Sequence, residues 1–109
     1  MKIGEKIAPR DAFGDALAEL GGLDPSVVVF DTDVCESTKT NMFRKKFPDR
    51  FFEMGIAKAN MVGAAAGIAT TGWKPWVSTF AVFLAKRAVD QIRVSVAYAK
   101  LNVKINGAY

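Results

Sequence analysis

Residues 27–33 read Val27-Val28-Val29-Phe30-Asp31-Thr32-Asp33. Four consecutive β-branched or aromatic residues predict a strand buried on both faces, because a strand with one wet face would alternate apolar and polar residues. The run empties into a polar tripeptide at its carboxyl end, which in open parallel sheets is where ligands bind. Upstream, Ala12, Phe13, Ala16, Leu17 and Leu20 recur at helical spacing and predict a helix from Asp11 to Leu20. Pro9 precedes it, Asp11 and Asp15 suit its positive end, and Gly21-Gly22 are expected to stop it.

Downstream, the polar stretch Glu36 to Lys46 reads as a loop with a short helix, and Phe47-Pro48-Asp49 as a turn. Phe51 to Met54 predicts a second strand ended by Gly55, Lys58 to Thr70 a helix, and Pro75 to Phe80 a third strand. Gly63 and Gly67 keep the surface of the middle helix low, so that another backbone can approach it. The longest helix is expected from Ala81 to Leu101, with Phe83, Leu84, Ala88, Ile92, Val96 and Ala99 as its apolar stripe. Asn102 to Asn106 reads as a fourth strand. Strands alternating with helices predict an α/β fold, a parallel sheet with helices on both faces. With no helix after the last strand, residues 1–109 are expected to form a single, incomplete domain, or one completed by another chain.

Composition narrows the chemistry. Fifteen Lys and Arg against eleven Asp and Glu give a net charge of +4, and half the residues are hydrophobic, a globular balance. The chain has no histidine and one cysteine, Cys35. That excludes a histidine base, an internal disulfide and a Cys/His zinc site built from this chain alone, and no metal ligands are assigned. The lone thiol fits a reducing, cytoplasmic location. Met1 to Lys6 lacks the apolar run of a signal peptide, and Met61 to Thr71 is too short to cross a bilayer, so no membrane association is expected.

Several residues admit two readings. Lys58, at a strand-to-helix junction, is either a solvated lysine or a site lysine at the crevice. Phe80 and Phe83 either pack in the core or form a platform for a flat heterocycle. Arg44, Lys45, Lys46 and Arg50 interleave with Phe43, Phe47, Phe51 and Phe52. This mixture suits single-stranded nucleic acid, but a solvated basic face over an apolar edge is the commoner cause, and no nucleic acid is expected.

Four segments also carry a family resemblance. Gly55-Ile56-Ala57-Lys58-Ala59-Asn60-Met61-Val62-Gly63-Ala64-Ala65-Ala66-Gly67 resembles a signature of transketolase-like enzymes. Val77-Ser78-Thr79-Phe80-Ala81-Val82-Phe83, continued by Arg87 to Arg93, does so too. Arg10-Asp11-Ala12-Phe13-Gly14, and Asp31-Thr32-Asp33 with Ser37-Thr38-Lys39-Thr40, match in order and spacing. The resemblance is to the pyrimidine-binding domain of the transketolase family.

The resemblance implies a parallel α/β fold and a role in moving two-carbon ketol units between sugar phosphates of pentose phosphate chemistry. It implies thiamine diphosphate shared with a partner chain, and magnesium held only by the partner domain. It implies a homodimer, or a hetero-oligomer with a transketolase N-terminal subunit. By position, Phe80 and Phe83 resemble the residues that pack on the pyrimidine ring, Asp33 an acid near the thiazolium, and Arg10 and Ser37 contacts for the sugar phosphate.

Lys58 stands where the family has its catalytic glutamate. A carboxyl group at that place exchanges a proton with the pyrimidine nitrogen, and a lysine ammonium has no lone pair with which to do so. With the diphosphate domain and the family's histidines also missing, the resemblance implies a chain inactive in isolation. The alternative is a non-catalytic structural or interaction module that kept the fold.

Overall fold

The expected buried strand is the centre of the sheet. In this computed structural model, which describes residue 4, residues 6–55 and residues 57–108, β1 (Val27–Asp31) is buried at every position. It pairs in parallel with β2 (Phe51–Glu53) on one side and β3 (Lys74–Phe80) on the other. β3 pairs in parallel with β4 (Lys104–Ala108), so the order across the sheet is β2-β1-β3-β4. The register sets Asp31 beside Glu53 on one flank and Ser78 on the other.

Alternation along β1 divides the core between two faces. Val27 and Val29 join Leu17 of α1 (Pro9–Leu23), Phe43 of α3 (Asn41–Lys46) and Phe51. Val28 and Phe30 join Met61, Val62, Ala65 and Ala66 of α4 (Lys58–Ala69), together with Val77, Leu84 and Val96. Helices cover both faces, as the unbroken apolar run of β1 requires.

Three departures from the sequence expectation bear on the packing, besides a shift of β4 by two residues. The segment between β1 and β2 holds two short helices, α2 (Cys35–Thr38) and α3, where one was expected. Helix α1 does not stop at Gly21-Gly22 but continues to Leu23. Gly21 serves close approach: a Cβ there would lie 2.5 Å from Cε2 of Phe43 and 2.8 Å from Cε2 of Phe47. The end of α1 is held from outside. Nη2 of Arg50 donates to the Gly21 carbonyl at 2.8 Å, and Nη1 donates to the Asp24 and Val27 carbonyls at 3.1 Å. The same guanidinium lies 4.2 Å from the centroid of Phe47. Arg50 and the phenylalanines beside it therefore have a packing role, which accounts for part of the basic and aromatic interleaving.

The third difference is the final helix, which is broken. α5 (Ala81–Arg87) ends at Ala88, with φ −120° and ψ 8°. A short α6 (Val89–Gln91) and a π-helical segment, Ile92–Tyr98, follow. The apolar residues Leu84, Ala88, Ile92 and Val96 recur every four positions. On a regular helix of 3.6 residues per turn such a stripe drifts by about 40° at each step. A wider π turn raises the local number of residues per turn and holds the stripe on the sheet. Leu84, Ala88 and Val96 are buried and Ile92 packs against them. Ala99, the last member of the expected stripe, is exposed. Among the described residues no helix is long and apolar enough to cross a membrane.

Candidate functional site

The strand order has a consequence for ligands. The chain leaves β1 to form β2 on one side, then returns past β1 to form β3 on the other. The carboxyl ends of β1 and β3 therefore flank a topological switch point, where open α/β sheets leave a crevice. A buried hydrogen bond spans it, from Thr32 Oγ1 to Thr79 Oγ1 at 2.8 Å. Next to it on β3, Ser78 Oγ accepts from Nδ2 of Asn106 on β4 at 2.9 Å.

Beyond β1 the backbone turns sharply. Asp33 has φ 63° and Lys39 φ 68°, left-handed conformations on either side of α2 that non-glycine residues seldom adopt. Asp33, Cys35, Glu36 and Ser37 line an open cleft of about 460 Å³, together with Arg44 and Glu53. Arg44 reaches back towards the thiol, its Nη1 3.8 Å from Sγ of Cys35. Three carboxylates, a guanidinium, a hydroxyl and a thiol give this cleft both donors and acceptors for a polar ligand.

The residues singled out from the sequence fall in different places. Asp33 and Ser37 share the cleft. Arg10 is exposed in the first turn of α1 and does not line it. Its neighbour Asp11 pairs with Lys39 at 3.6 Å, which ties that turn to the α2–α3 connection. Lys58 is the first residue of α4, half-buried, three residues after Gly55 with φ 66°. Phe80 is the last residue of β3, half-buried, immediately before α5. Both belong to the carboxyl edge of the sheet but not to the cleft wall. The side chain of Phe83 lies outside the described residues.

Asp31 stood in a sequence motif without a role of its own. It has no exposed surface, and its carboxylate takes three hydrogen bonds. Val34 N–H donates to Oδ1 at 2.9 Å, and the hydroxyls of Thr38 and Thr40 donate to Oδ2 at 2.7 and 2.9 Å. Burial pushes this carboxyl above its ordinary value, against the lowering effect of those bonds. The signal available in the sequence was an acid closing a fully buried strand, since such a group must find donors nearby. Among the described residues no three His, Cys, Asp or Glu side chains come close enough to hold a metal ion.

Comparison with known proteins gives the fold a context. The family model described as transketolase, pyrimidine binding domain, matches residues 5–107. A putative transketolase C-terminal section from Methanocaldococcus jannaschii is 51% identical over 96 residues, covering 88% of this chain and 30% of that protein. The transketolase of Homo sapiens is 44% identical over 109 residues, 99% of this chain and 17% of that protein. A solved split-gene transketolase, described as an inactive beta4 tetramer, superposes with a TM-score of 0.86 at 55% identity, covering 94% of this chain and 34% of the other. The chain thus spans about a third or less of the length of these relatives.

Proposed function

The chain belongs to the transketolase family, as its pyrimidine-binding domain, and from that premise we propose that it forms one wall of a thiamine diphosphate site whose diphosphate and magnesium are held by a partner domain or chain. The observation that carries this reading is the gathering of Asp33, Ser37, Lys58 and Phe80 at the carboxyl edge of one parallel sheet, around its switch point. When bound, the cofactor supplies a thiazolium carbon nucleophile for ketol transfer between sugar phosphates. Phe80 offers an aromatic surface to the pyrimidine, and Asp33 a carboxylate facing a cationic ring. Ser37 offers a hydroxyl to a sugar phosphate, with Arg10 as a second donor brought by the first turn of α1. Phe83 is assigned to the pyrimidine on resemblance alone. Cytoplasmic placement and assembly as a homodimer or with an N-terminal subunit belong to the same reading.

The residues fit the group unevenly. The ring of Phe80 and the hydroxyl of Ser37 suit it, but Lys58 does not suit the proton exchange for which a carboxyl is needed. A lysine ammonium repels a protonated ring, so no proton step is assigned to this chain, and ketol transfer by the chain alone is not part of the proposal.

Calorimetry with thiamine diphosphate and magnesium, without and with a diphosphate-domain chain of a split transketolase, tests the binding. A coupled ketol-transfer assay tests the chemistry. Binding is expected only with the partner, and Lys58→Glu is expected to raise partner-dependent transfer about a hundredfold. Robust transfer by the unmodified chain alone would refute the reading. Lys58 also favours a second reading, a non-catalytic module, which predicts no cofactor binding even when the partner chain is present.

A further inference from the structure

Three features around β1 are explained neither by core packing nor by the cofactor reading. A carboxylate with no exposed surface closes the central strand. All three of its hydrogen-bond donors come from one stretch, residues 34–40. Two non-glycine residues in the left-handed region bracket α2 within and beside that stretch, Asp33 before it and Lys39 after it. An apolar side chain would fill the position without the cost of burying a charge. Strained backbone persists only where its surroundings over-determine it.

We propose that Asp31 is a positioning residue, a clamp that fixes the α2 segment and so aims Asp33 and Ser37 into the cleft. One carboxylate oxygen takes the Val34 N–H at the start of α2, and the other takes Thr38 and Thr40 at its far end. The two hydroxyls also lie 3.1 Å from each other. The segment is thereby tied at both ends to a single rigid atom group on the central strand. Asp33 and Ser37 lie between or beside those ties, and the Ser37 N–H donates to the Val34 carbonyl at 2.9 Å, which carries the tie at Val34 on to Ser37. Thr32, hydrogen-bonded to Thr79, fixes the strand end from which the clamp acts. The functional meaning of the clamp rests on the reading of Asp33 and Ser37 as ligand contacts, but its existence does not.

Cys35 is the chain's one cysteine and the first residue of α2, so its thiol reports on this segment alone. The rate of its modification by a neutral disulfide reagent is measured in the whole chain, with far-UV circular dichroism and tryptophan fluorescence checking the global fold. Asp31→Ala and Thr38→Val are each expected to raise the rate about tenfold or more, because lost charge-assisted bonds shift local opening by at least that factor. Thr38→Ser, which keeps the hydroxyl, is expected to stay near the original rate. Gly21→Ala crowds the Phe43 and Phe47 rings between α1 and α3 and meets none of the clamp residues, so it sets the background for general loosening.

Rates in Asp31→Ala and Thr38→Val no higher than in Gly21→Ala would overturn the clamp. If Asp31→Ala does not fold, Thr38→Val against Thr38→Ser decides alone. No cofactor or sugar enters this measurement, so its failure is distinct from failure of the cofactor reading, which calorimetry decides.

Discussion

At the scale of the residue, Asp31 and Asp24 show how environment sets the behaviour of identical side chains. Burial raises the Asp31 carboxyl above its ordinary 3.8, opposed by the bonds from Thr38, Val34 and Thr40 and helped by the nearby Glu53 charge. The native state therefore holds the proton more tightly than the unfolded chain does. Native stability then rises as pH falls through the raised value towards 3.8 and gains nothing more below it. Asp24 acts in the opposite sense. Its hydrogen bond from Lys74, with others from Ser26, holds its carboxyl far below 3.8, so the stability it lends is present above that value and lost as pH falls beneath it.

The two windows do not overlap, so they separate in one experiment. Urea unfolding at a series of pH values is expected to show the original chain gaining stability relative to Asp31→Asn on acidification towards 3.8. A difference between the two that stays flat over that interval would show that the buried carboxyl is not raised.

At the scale of the element, α1 was legible as a helix from its apolar spacing, but its end was not. A glycine pair after the last apolar residue is the ordinary stop signal. Here Gly21 meets the Phe43 and Phe47 rings inside the helix, a contact with residues more than twenty positions away. The neighbouring Gly22 has only Cζ of Phe47 nearby, at 3.8 Å. The two glycines should therefore respond oppositely to alanine. Gly22→Ala is expected to stabilise the chain by about 0.5–1 kcal/mol through helix propensity. Gly21→Ala gains the same propensity but forces a methyl against a fully buried ring, an overpacking cost of about 1–3 kcal/mol that outweighs it. Shifts of opposite sign in the urea midpoint check this.

The broken final helix is a second case. Its four-residue stripe is visible in the sequence, but only the packing of Leu84, Ala88 and Val96 against Val28, Phe30 and Val77 of the sheet demands the π-helical correction.

At the scale of the molecule, the central strand is covered on both faces while β4 and two helical surfaces stay open. A Cβ at Gly63 or Gly67 on α4 would meet nothing within 4 Å. Val82, Val89, Val94 and Tyr98, on the segments after β3, are large apolar residues left exposed. If the proposed assembly uses the low face of α4, Gly63→Gln and Gly67→Gln should leave the fold intact, since both side chains fit in open space and glutamine favours helix over glycine. The same variants should abolish association with a partner chain or a second copy, read by sedimentation velocity. Unchanged association in both would place the interface elsewhere.

The parallel α/β class, the buried central strand and the sites of most elements were already determined by the sequence, because each depends on local periodicity and on the order of elements along the chain. The motif residues were found there too, and Lys58 stood out as a departure from the family's chemistry. Tertiary structure alone decided the strand order, and with it the switch point between β1 and β3. It also decided which site residues share a wall, with Asp33 and Ser37 together and Arg10 and Lys58 apart from it. The clamp at Asp31 and the role of Gly21 came from the same source. Each of these depends on contacts between residues distant in sequence, and no local pattern of apolar and polar residues encodes where such partners meet.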